Sequence, residues 1–288
     1  MRGFKTLSLL AATFMASTAM VQAADLIPPP VEDYPPEVVS HGVAGGWYIR
    51  GDIGYASLEV EDVSFFQGAF LSGSFEQHEL DSTWFLQGGV GYQVTDYLRV
   101  DATWRYYAST DFDGSSAPAG SVCNGAFPGS TCFFDDNAEL ESVNVLMANA
   151  YVDLGTISGF TPYVGAGIGG AHVQYGHLLN NQICTPADPA CDANDSIHPG
   201  EDQWRFAWAV HAGASYDIDC RWKADAGYTF TRIEGGKMFG SGISTVTGLA
   251  GGGNGFDDGI DIHSGSIGLR YHLDDGACHT PPPPVVYK

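Results

Sequence analysis

The chain has 288 residues, of which 12 are lysine or arginine and 34 are aspartate or glutamate, so its formal net charge at pH 7 is −22. This acidity argues against a nucleic-acid partner, because nucleic-acid-binding proteins present stripes of lysine and arginine to the phosphates. Beyond the N-terminus, no stretch supplies the roughly 20 continuous apolar residues of a membrane-spanning helix. We therefore expect no helical membrane domain.

Residues 1–23 have the three-part pattern of a secretory signal peptide. Arg2 and Lys5 supply the positive start, residues 7–21 form the apolar core, and Ala23 precedes the expected cleavage site. The alternative is a transmembrane helix, which the short apolar core disfavours. The mature chain is expected to start at Ala24 and to fold in an oxidising compartment of the cell envelope.

Residues 24–45 follow as a proline-rich segment, with five prolines and four acidic residues between 24 and 44. Such proline density disfavours a strand and predicts an extended periplasmic linker. A docking segment for a periplasmic partner is the alternative. A second proline-rich segment, residues 274–288, is predicted to be a periplasmic tail, which leaves residues 46–273 as one domain.

This domain is predicted to contain eight strands, because apolar and polar residues alternate with a period of two in eight stretches. In the first stretch, Trp47 and Ile49 share one face, while Arg50 and Asp52 share the other. In the fifth, the inner face carries small residues, including Gly165, which would leave room for large side chains from neighbouring strands. The eight stretches are residues 46–58, 82–94, 98–109, 139–154, 161–175, 203–218, 221–233 and 260–273.

The stretch 203–218 shows the alternation most clearly. One face is apolar throughout and has aromatic residues near both ends, from Trp204 to Tyr216, while the opposite face is small or polar and carries Arg205 and Asp217. In a transmembrane barrel such an apolar face points to lipid, the aromatic residues lie at the two interfaces, and the polar face lines the lumen. The alternative is a soluble sandwich, which would bury these aromatic faces against one another.

The connections between the predicted strands alternate in length. The long ones are residues 59–81, 110–138, 177–202 and 234–259, and the short ones lie near residues 95–97, 155–160 and 217–220. Short turns at one end and long loops at the other are typical of outer-membrane barrels, in which the short turns are periplasmic. An even number of strands would place both chain termini in the periplasm. The fold class is predicted to be all-β: an eight-stranded antiparallel up-and-down transmembrane β-barrel.

The sequence resembles the small eight-stranded outer-membrane barrels of the OmpA/OmpX type, and more closely the porin-like outer-membrane β-barrel surface proteins of alphaproteobacteria. The resemblance covers residues 46–273 and implies assembly by the barrel-assembly machinery into a membrane of lipid and lipopolysaccharide. It departs from the family pattern where the last strand ends on Leu273 instead of an aromatic residue. The motifs that carry it are Gly46-Trp47-Tyr48-Ile49-Arg50-Gly51, Asn149-Ala150-Tyr151-Val152-Asp153-Leu154, Thr161-Pro162-Tyr163-Val164-Gly165-Ala166-Gly167-Ile168-Gly169 and Gly268-Leu269-Arg270-Tyr271-His272-Leu273.

Charged residues recur on the predicted inner face, where a cation often stands two residues before a carboxylate. Eight strands enclose a lumen that side chains can fill, and buried charges need partners, so a salt-bridged plug is predicted. The alternative is an ion-selective path between the charges. The predicted lumen network consists of Arg50, Asp52, Arg99, Asp101, Arg105, Asp153, Arg205, Lys223, Asp225 and Arg270.

Six cysteines form an even set, which is consistent with disulfides in an oxidising compartment. Their positions suggest the pairs Cys123–Cys132, Cys184–Cys191 and Cys220–Cys278, although six cysteines allow fifteen connectivities. Their spacing suggests no zinc site, and no cofactor is expected.

The acidic residues outside the predicted strands concentrate in the long loops. These loops could gather divalent cations, but their spacing matches no EF-hand and predicts no metal site. No catalytic residue is predicted either, because His211 and Ser215 lie about 13 Å apart along an extended strand. The favoured hypothesis is a monomeric structural barrel that supports envelope integrity and presents acidic loops. A narrow cation-preferring channel is the alternative, and a lipid-modifying enzyme is the third hypothesis.

Overall fold

The computed structural model of the chain describes residues 46–67, 71–74, 77–116, 131–185, 195–245, 248–250 and 253–273. The predicted signal peptide, linker and tail lie outside the described residues. Within the described part, no helix is long and apolar enough to cross a membrane.

The described residues form a single antiparallel sheet of fifteen strands. The strands are β1 (Gly46–Glu61), β2 (Ser64–Gln67), β3 (Leu71–Ser74), β4 (Gln77–Leu80), β5 (Thr83–Gln93), β6 (Leu98–Tyr107), β7 (Thr110–Ser116), β8 (Thr131–Asp153), β9 (Phe160–Tyr175), β10 (Leu178–Thr185), β11 (Ser196–His198), β12 (Asp202–Asp217), β13 (Trp222–Phe239), β14 (Ile243–Ser244) and β15 (Asn254–His272).

Eight of these strands close into a ring, in the order β1, β5, β6, β8, β9, β12, β13 and β15. The ring closes where β15 pairs with β1, from Tyr48 opposite His272 to Glu61 opposite Gly259. Each ring strand pairs with the ring strand that precedes it in the chain. The predicted eight-stranded up-and-down barrel is therefore confirmed.

Apolar and polar side chains lie on opposite faces of the barrel wall, as the alternation predicts. In β1, the side chains of Trp47 and Ile49 point outward and are 54% and 48% exposed, whereas Tyr48 is fully buried inside and Asp52 is 7% exposed. The glycines of β9 face large neighbours: a Cβ on Gly165 would lie 2.5 Å from the ring of Tyr151. The inner-face glycines thus make room for lumen side chains, as predicted.

The connections between ring strands are short at one end of the barrel and long at the other. At one end, here called the turn end, residues 94–97, 154–159 and 218–221 join consecutive ring strands. The connection 154–159 contains Gly155 with φ of 99° and Gly159 with φ of 85°, a conformation that glycine adopts readily. In the turn 218–221, the carboxylate of Asp219 accepts hydrogen bonds from the backbone N–H groups of Arg221 and Trp222, at 2.7 and 2.8 Å.

The opposite end, here called the loop end, contains far more strand than predicted. Strands β2, β3, β4, β7, β10, β11 and β14 lie in segments that the sequence analysis assigned to long loops without predicting strands there, and β8 begins at Thr131 instead of 139. The loop-end part of β8 pairs with β7 on one edge and with β10 on the other. Glycine and serine punctuate these segments, which hides their strand character, and neighbouring strands supply the backbone hydrogen bonds that fix them.

Candidate functional site: the barrel interior

The interior of the barrel is the candidate functional site, because nearly all of the buried charge of the described residues lies there. All ten residues of the predicted charge network point inward, and eight of them are at most 7% exposed, with Arg50 and Lys223 partly buried. However, most of these residues pair with residues of other strands of the ring, and not with the residue two positions away on the same strand.

Arg50 is the centre of the network at the turn end. Its guanidinium donates two hydrogen bonds of 2.8 and 2.9 Å to the carboxylate of Asp52 and one of 3.2 Å to Asp101 on β6. It also donates to the hydroxyl of Tyr151 on β8 at 3.4 Å. Arg50 therefore joins β1 to β6 and β8 across the lumen. A cation stands two residues before a carboxylate in Arg50-x-Asp52, Arg99-x-Asp101 and Lys223-x-Asp225, and only in the first do the two residues pair with each other.

Arg99 pairs with a carboxylate on the neighbouring strand. Its Nε donates to Oδ1 of Asp153 at 3.1 Å, and the side chain is fully buried. The guanidinium lies between the rings of Tyr151 and Tyr163, 4.4 Å from each centroid. Its terminal nitrogens have no hydrogen-bond partner within the described part of the chain, so these ring faces supply their favourable electrostatic contact.

Arg270 and Asp225 form a third buried pair at the turn end, 2.9 Å apart. Ser215 lies between them: its hydroxyl donates to Asp225 at 2.6 Å and accepts from Arg270 at 2.6 Å. Lys223, which the motif places beside Asp225, instead pairs with Asp217 on β12. The turn-end half of the lumen is thus filled by ion pairs that link several strands.

Arg105 occupies the middle of the lumen without a carboxylate partner among the described residues. It donates to Gln87 at 2.7 Å, to the hydroxyl of Tyr107 at 3.0 Å and to Ser264 at 3.2 Å. Its guanidinium lies 4.6 Å from the ring centroid of Phe85. The contact with Ser264 connects β6 to β15, so a polar layer of uncharged partners around Arg105 also bridges the lumen.

His211 belongs to the same middle layer. Its ring nitrogens lie 3.0 Å from Oγ1 of Thr229 and 3.1 Å from Oδ1 of Asn149. Ser215, which shares its face, bonds instead to the ion pair at the turn end. The two residues therefore engage different partners and do not form a nucleophile–base pair.

The loop-end half of the lumen is apolar, which the sequence analysis did not anticipate. One cluster of buried side chains fills it, contributed by both walls and by strands of the extended loop end. Its members include Leu58, Val60, Phe112, Leu140, Val173, Ile233, Met238, Phe239, Ile260 and Ile262.

Two phenylalanines bring opposite walls together in this layer. Phe239 comes from β13, and Phe112 comes from β7, which continues the line of β6 along the same edge of β8. In the ring, β6 and β13 stand four strands apart, so they face each other. The centroids of the two rings are 6.4 Å apart, and Phe239 also lies 5.6 Å from Tyr175.

Arg205 lies on the loop-end side of the lumen, and the sequence analysis did not predict its partner. Its guanidinium holds both oxygens of Asp257 at 2.7 and 2.8 Å and donates to the backbone carbonyl of Lys237 at 2.8 Å. Asp257 was expected in an exposed loop, but it is 3% exposed within β15. Gly259, with φ of 135°, interrupts the inward–outward alternation of β15 and conceals the inward position of Asp257.

Between the polar and apolar layers, a cavity of about 10 Å³ is lined by Gln87, Arg105, Met147 and His211, among others. This volume holds about one water molecule. A hydrated ion needs a wider passage. Among the described residues, no cluster of three or more histidine, cysteine, aspartate or glutamate side chains has the arrangement of a metal site.

Of the six cysteines, three fall within the described residues. Cys220 lies in the turn 218–221 and is disulfide-bonded. Cys132 and Cys184 lie in β8 and β10, with their Cα atoms directly opposite each other. Cys123, Cys191 and Cys278 lie outside the described residues, so the three suggested pairings stay predictions.

Comparison with known proteins identifies the architecture. The family described as "Outer membrane protein beta-barrel domain" matches residues 8–272. The chain belongs to this family. A relative, an uncharacterized protein of Brucella abortus, is 34% identical over 278 residues, which cover 90% of this chain and 95% of the relative. The outer membrane protein PagN of Salmonella typhimurium is 27% identical and covers 67% of this chain and 76% of its own.

Solved structures of other outer-membrane barrels resemble the chain more distantly. OprG from Pseudomonas aeruginosa has 15% identity and a TM-score of 0.45, with 80% of this chain and 97% of that chain covered. Neisserial surface protein A has 18% identity and a TM-score of 0.38, with 79% and 97% covered.

Membership in the outer membrane protein β-barrel family places the chain in the bacterial outer membrane and explains its outward apolar face. Aromatic residues concentrate near both edges of that face, as interfacial girdles do. At the turn end, Trp47 packs against Tyr92 with centroids 5.3 Å apart, and toward the loop end, Tyr55 packs against Trp84 at 5.1 Å. Above the second girdle, the outward Arg232 pairs with Glu61 at 2.8 Å and Asp261 at 2.9 Å, which marks the return to a polar surface.

Proposed function

We propose that this protein is a sealed structural barrel that contributes to the integrity of the outer membrane and presents its loop end at the cell surface. The contact between Phe112 and Phe239 carries the proposal, because it joins opposite walls within an apolar layer. Below that layer, ion pairs fill the turn-end half of the lumen. Both layers would have to rearrange before a solute could pass.

The proposal includes an orientation in the membrane. Short turns face the periplasm in barrels of this kind, and longer connections face outward. The turn end would therefore be periplasmic, together with the linker before Gly46 and the tail after Leu273. The extended sheet around β8 would then project from the cell surface.

The partners proposed are those that the outer surface can contact. The apolar band would pack against outer-membrane lipid and lipopolysaccharide, and the barrel-assembly machinery would insert a monomer. Outward carboxylates at the loop end, such as Glu59 and Glu61, could attract divalent cations as a diffuse cloud and not as a defined site. The same acidity disfavours nucleic acid.

A narrow cation-preferring channel is the alternative. Cations would have to cross the apolar layer around Phe239, and such constrictions exclude ions by excluding water. A lipid-modifying enzyme is the third hypothesis. It would need a nucleophile and a base within hydrogen-bond reach, an arrangement that His211 and Ser215 do not supply.

The proposed role is tested by deleting the gene in the bacterium that encodes it and measuring survival in detergent and in large antibiotics that the outer membrane normally excludes. We expect the deletion strain to become more sensitive, and the wild-type gene to restore resistance. Unchanged sensitivity, with the protein shown to be abundant in the parent strain, would contradict a role in envelope integrity.

A further inference from the structure

The loop-end part of β8 and the whole of β10 form an antiparallel ladder in which two cysteines meet. The register runs from Asn137 opposite Leu179 to Thr131 opposite Thr185. Within it, Cys132 is the Cα partner of Cys184. The two residues come from different loops of the sequence, since the chain makes β9 and returns before it reaches β10.

A side-chain hydrogen bond supports this register. Asn180 donates to Asp136, its Cα partner in the same ladder. Residues separated by four positions lie on the same face of a strand. Cys132 and Cys184 therefore occupy the same face of the ladder as the hydrogen-bonded pair.

The backbone placement satisfies the requirement for a disulfide. Opposite Cα atoms in an antiparallel pair are about 4.5 or 5.5 Å apart. Disulfides join residues whose Cα atoms are about 4.4–6.8 Å apart.

We propose that a disulfide between Cys132 and Cys184 joins the second and third long loops at the loop end of the barrel. This bond takes one cysteine from each pair that the spacing suggested within a single loop, so it excludes both Cys123–Cys132 and Cys184–Cys191. If Cys220 pairs with Cys278, as the sequence analysis suggests, Cys123 and Cys191 remain to pair with each other. The disulfide of Cys220 at the turn end is unaffected.

The bond forms by oxidation of two thiols. Each thiol loses a proton, and the pair transfers two electrons to a disulfide-bearing thiol oxidase of the envelope, which becomes a dithiol. The resulting sulfur–sulfur bond closes the segment 132–184, which contains most of β8 and all of β9. It would hold β10 on the edge of β8 and so keep the extended sheet attached to the barrel wall.

The test is peptide mapping of the unreduced full-length mature protein after digestion by a protease that cuts before aspartate. Because aspartates stand at 113, 135, 153, 188 and 192, Cys123 and Cys132 share peptide 113–134, Cys184 is in peptide 153–187, and Cys191 is in peptide 188–191. We expect peptide 113–134 to be joined to peptide 153–187. Pairing within the loops would instead join 153–187 to 188–191 alone and leave 113–134 unlinked.

Two single substitutions distinguish the remaining connectivities. In C123S, peptides 113–134 and 153–187 should stay joined through Cys132, and in C191S the same pair should persist. A link between peptides 113–134 and 188–191 in C123S would overturn the proposal. Free thiols at Cys132 and Cys184 in protein purified from an oxidising envelope would also overturn it.

Discussion

At the scale of single residues, the turn-end interior depends on buried charges that pair with opposite charges. Arg99 illustrates this, since its side chain is fully buried, pairs with Asp153 and is stacked between two tyrosine rings. Removing one member of such a pair leaves an uncompensated charge away from water, which destabilises more than removing both.

Arg99→Met should therefore lower the free energy of unfolding by about 3–5 kcal/mol, because it leaves the carboxylate of Asp153 buried without its partner. The double variant Arg99→Met/Asp153→Asn should lose clearly less of the free energy of unfolding than the single variant. The measurement is denaturant unfolding in lipid vesicles, followed by tryptophan fluorescence. A double variant that is less stable than Arg99→Met would contradict the interpretation.

The lumen glycines provide a second residue-scale test. A Cβ on Gly167 would lie 2.0 Å from Oδ1 of Asn149, whose amide binds Asp101 and Thr103. Gly167→Ala should lower stability by about 1–3 kcal/mol through overpacking. Gly51, which faces outward with nothing within 4 Å of a Cβ, is the matched control, and Gly51→Ala should change little. Equal effects at both positions would contradict the assigned faces.

At the scale of the strand, the alternation of faces sets which side chains meet lipid. An outward arginine in the middle of the apolar band should destabilise the barrel by about 2–4 kcal/mol, against about 0–1 kcal/mol near an interface. Ile267, which is 66% exposed, tests the first case, and Ser57, near the loop-end girdle, tests the second. Unfolding of Ile267→Arg and Ser57→Arg in vesicles should show this difference, and similar losses would contradict the placement of the band.

The turn 218–221 gives a pH-dependent prediction. Hydrogen bonds from the backbone N–H groups of Arg221 and Trp222 lower the pKa of Asp219 below its usual value near 3.8. The stabilisation is thus present above that ordinary value and is lost as the pH falls through the lower pKa of the folded state. The difference in thermal midpoint between wild type and Asp219→Ala should shrink in strong acid. A difference independent of pH would contradict a role for the ionised carboxylate.

The strands also show what the sequence could and could not predict. Period-two alternation is strong where one face meets lipid, so all eight ring strands were identified. The loop-end strands lack lipid on either side, and their glycine- and serine-rich segments gave no alternation to detect. The break in alternation at Gly259, where φ is 135°, hid the inward position of Asp257. Ion pairs such as Arg99–Asp153 follow from the order of strands around the ring, which the spacing along one strand cannot provide.

At the scale of the whole molecule, the interior has two layers with different chemistry. Ion pairs fill the turn-end half, and an apolar cluster fills the loop-end half. The inward direction of the charged residues could be read from the sequence. The apolar layer could not be read in full, because Phe112 of β7 and Met238 and Phe239 at the end of β13 lie in segments that were expected to be loops.

The central claim is that this interior is sealed. The most direct measurement is single-channel conductance of the refolded mature protein in a planar bilayer, beside Arg105→Ala and a double variant, Phe112→Gly/Phe239→Gly. With folding verified, we expect no steps from the wild type, from Arg105→Ala or from the double variant, because the ion pairs still fill the turn-end half of the lumen when both rings are removed. Steady cation-selective steps from the wild type, altered by Arg105→Ala, would contradict the sealed barrel and identify a small channel.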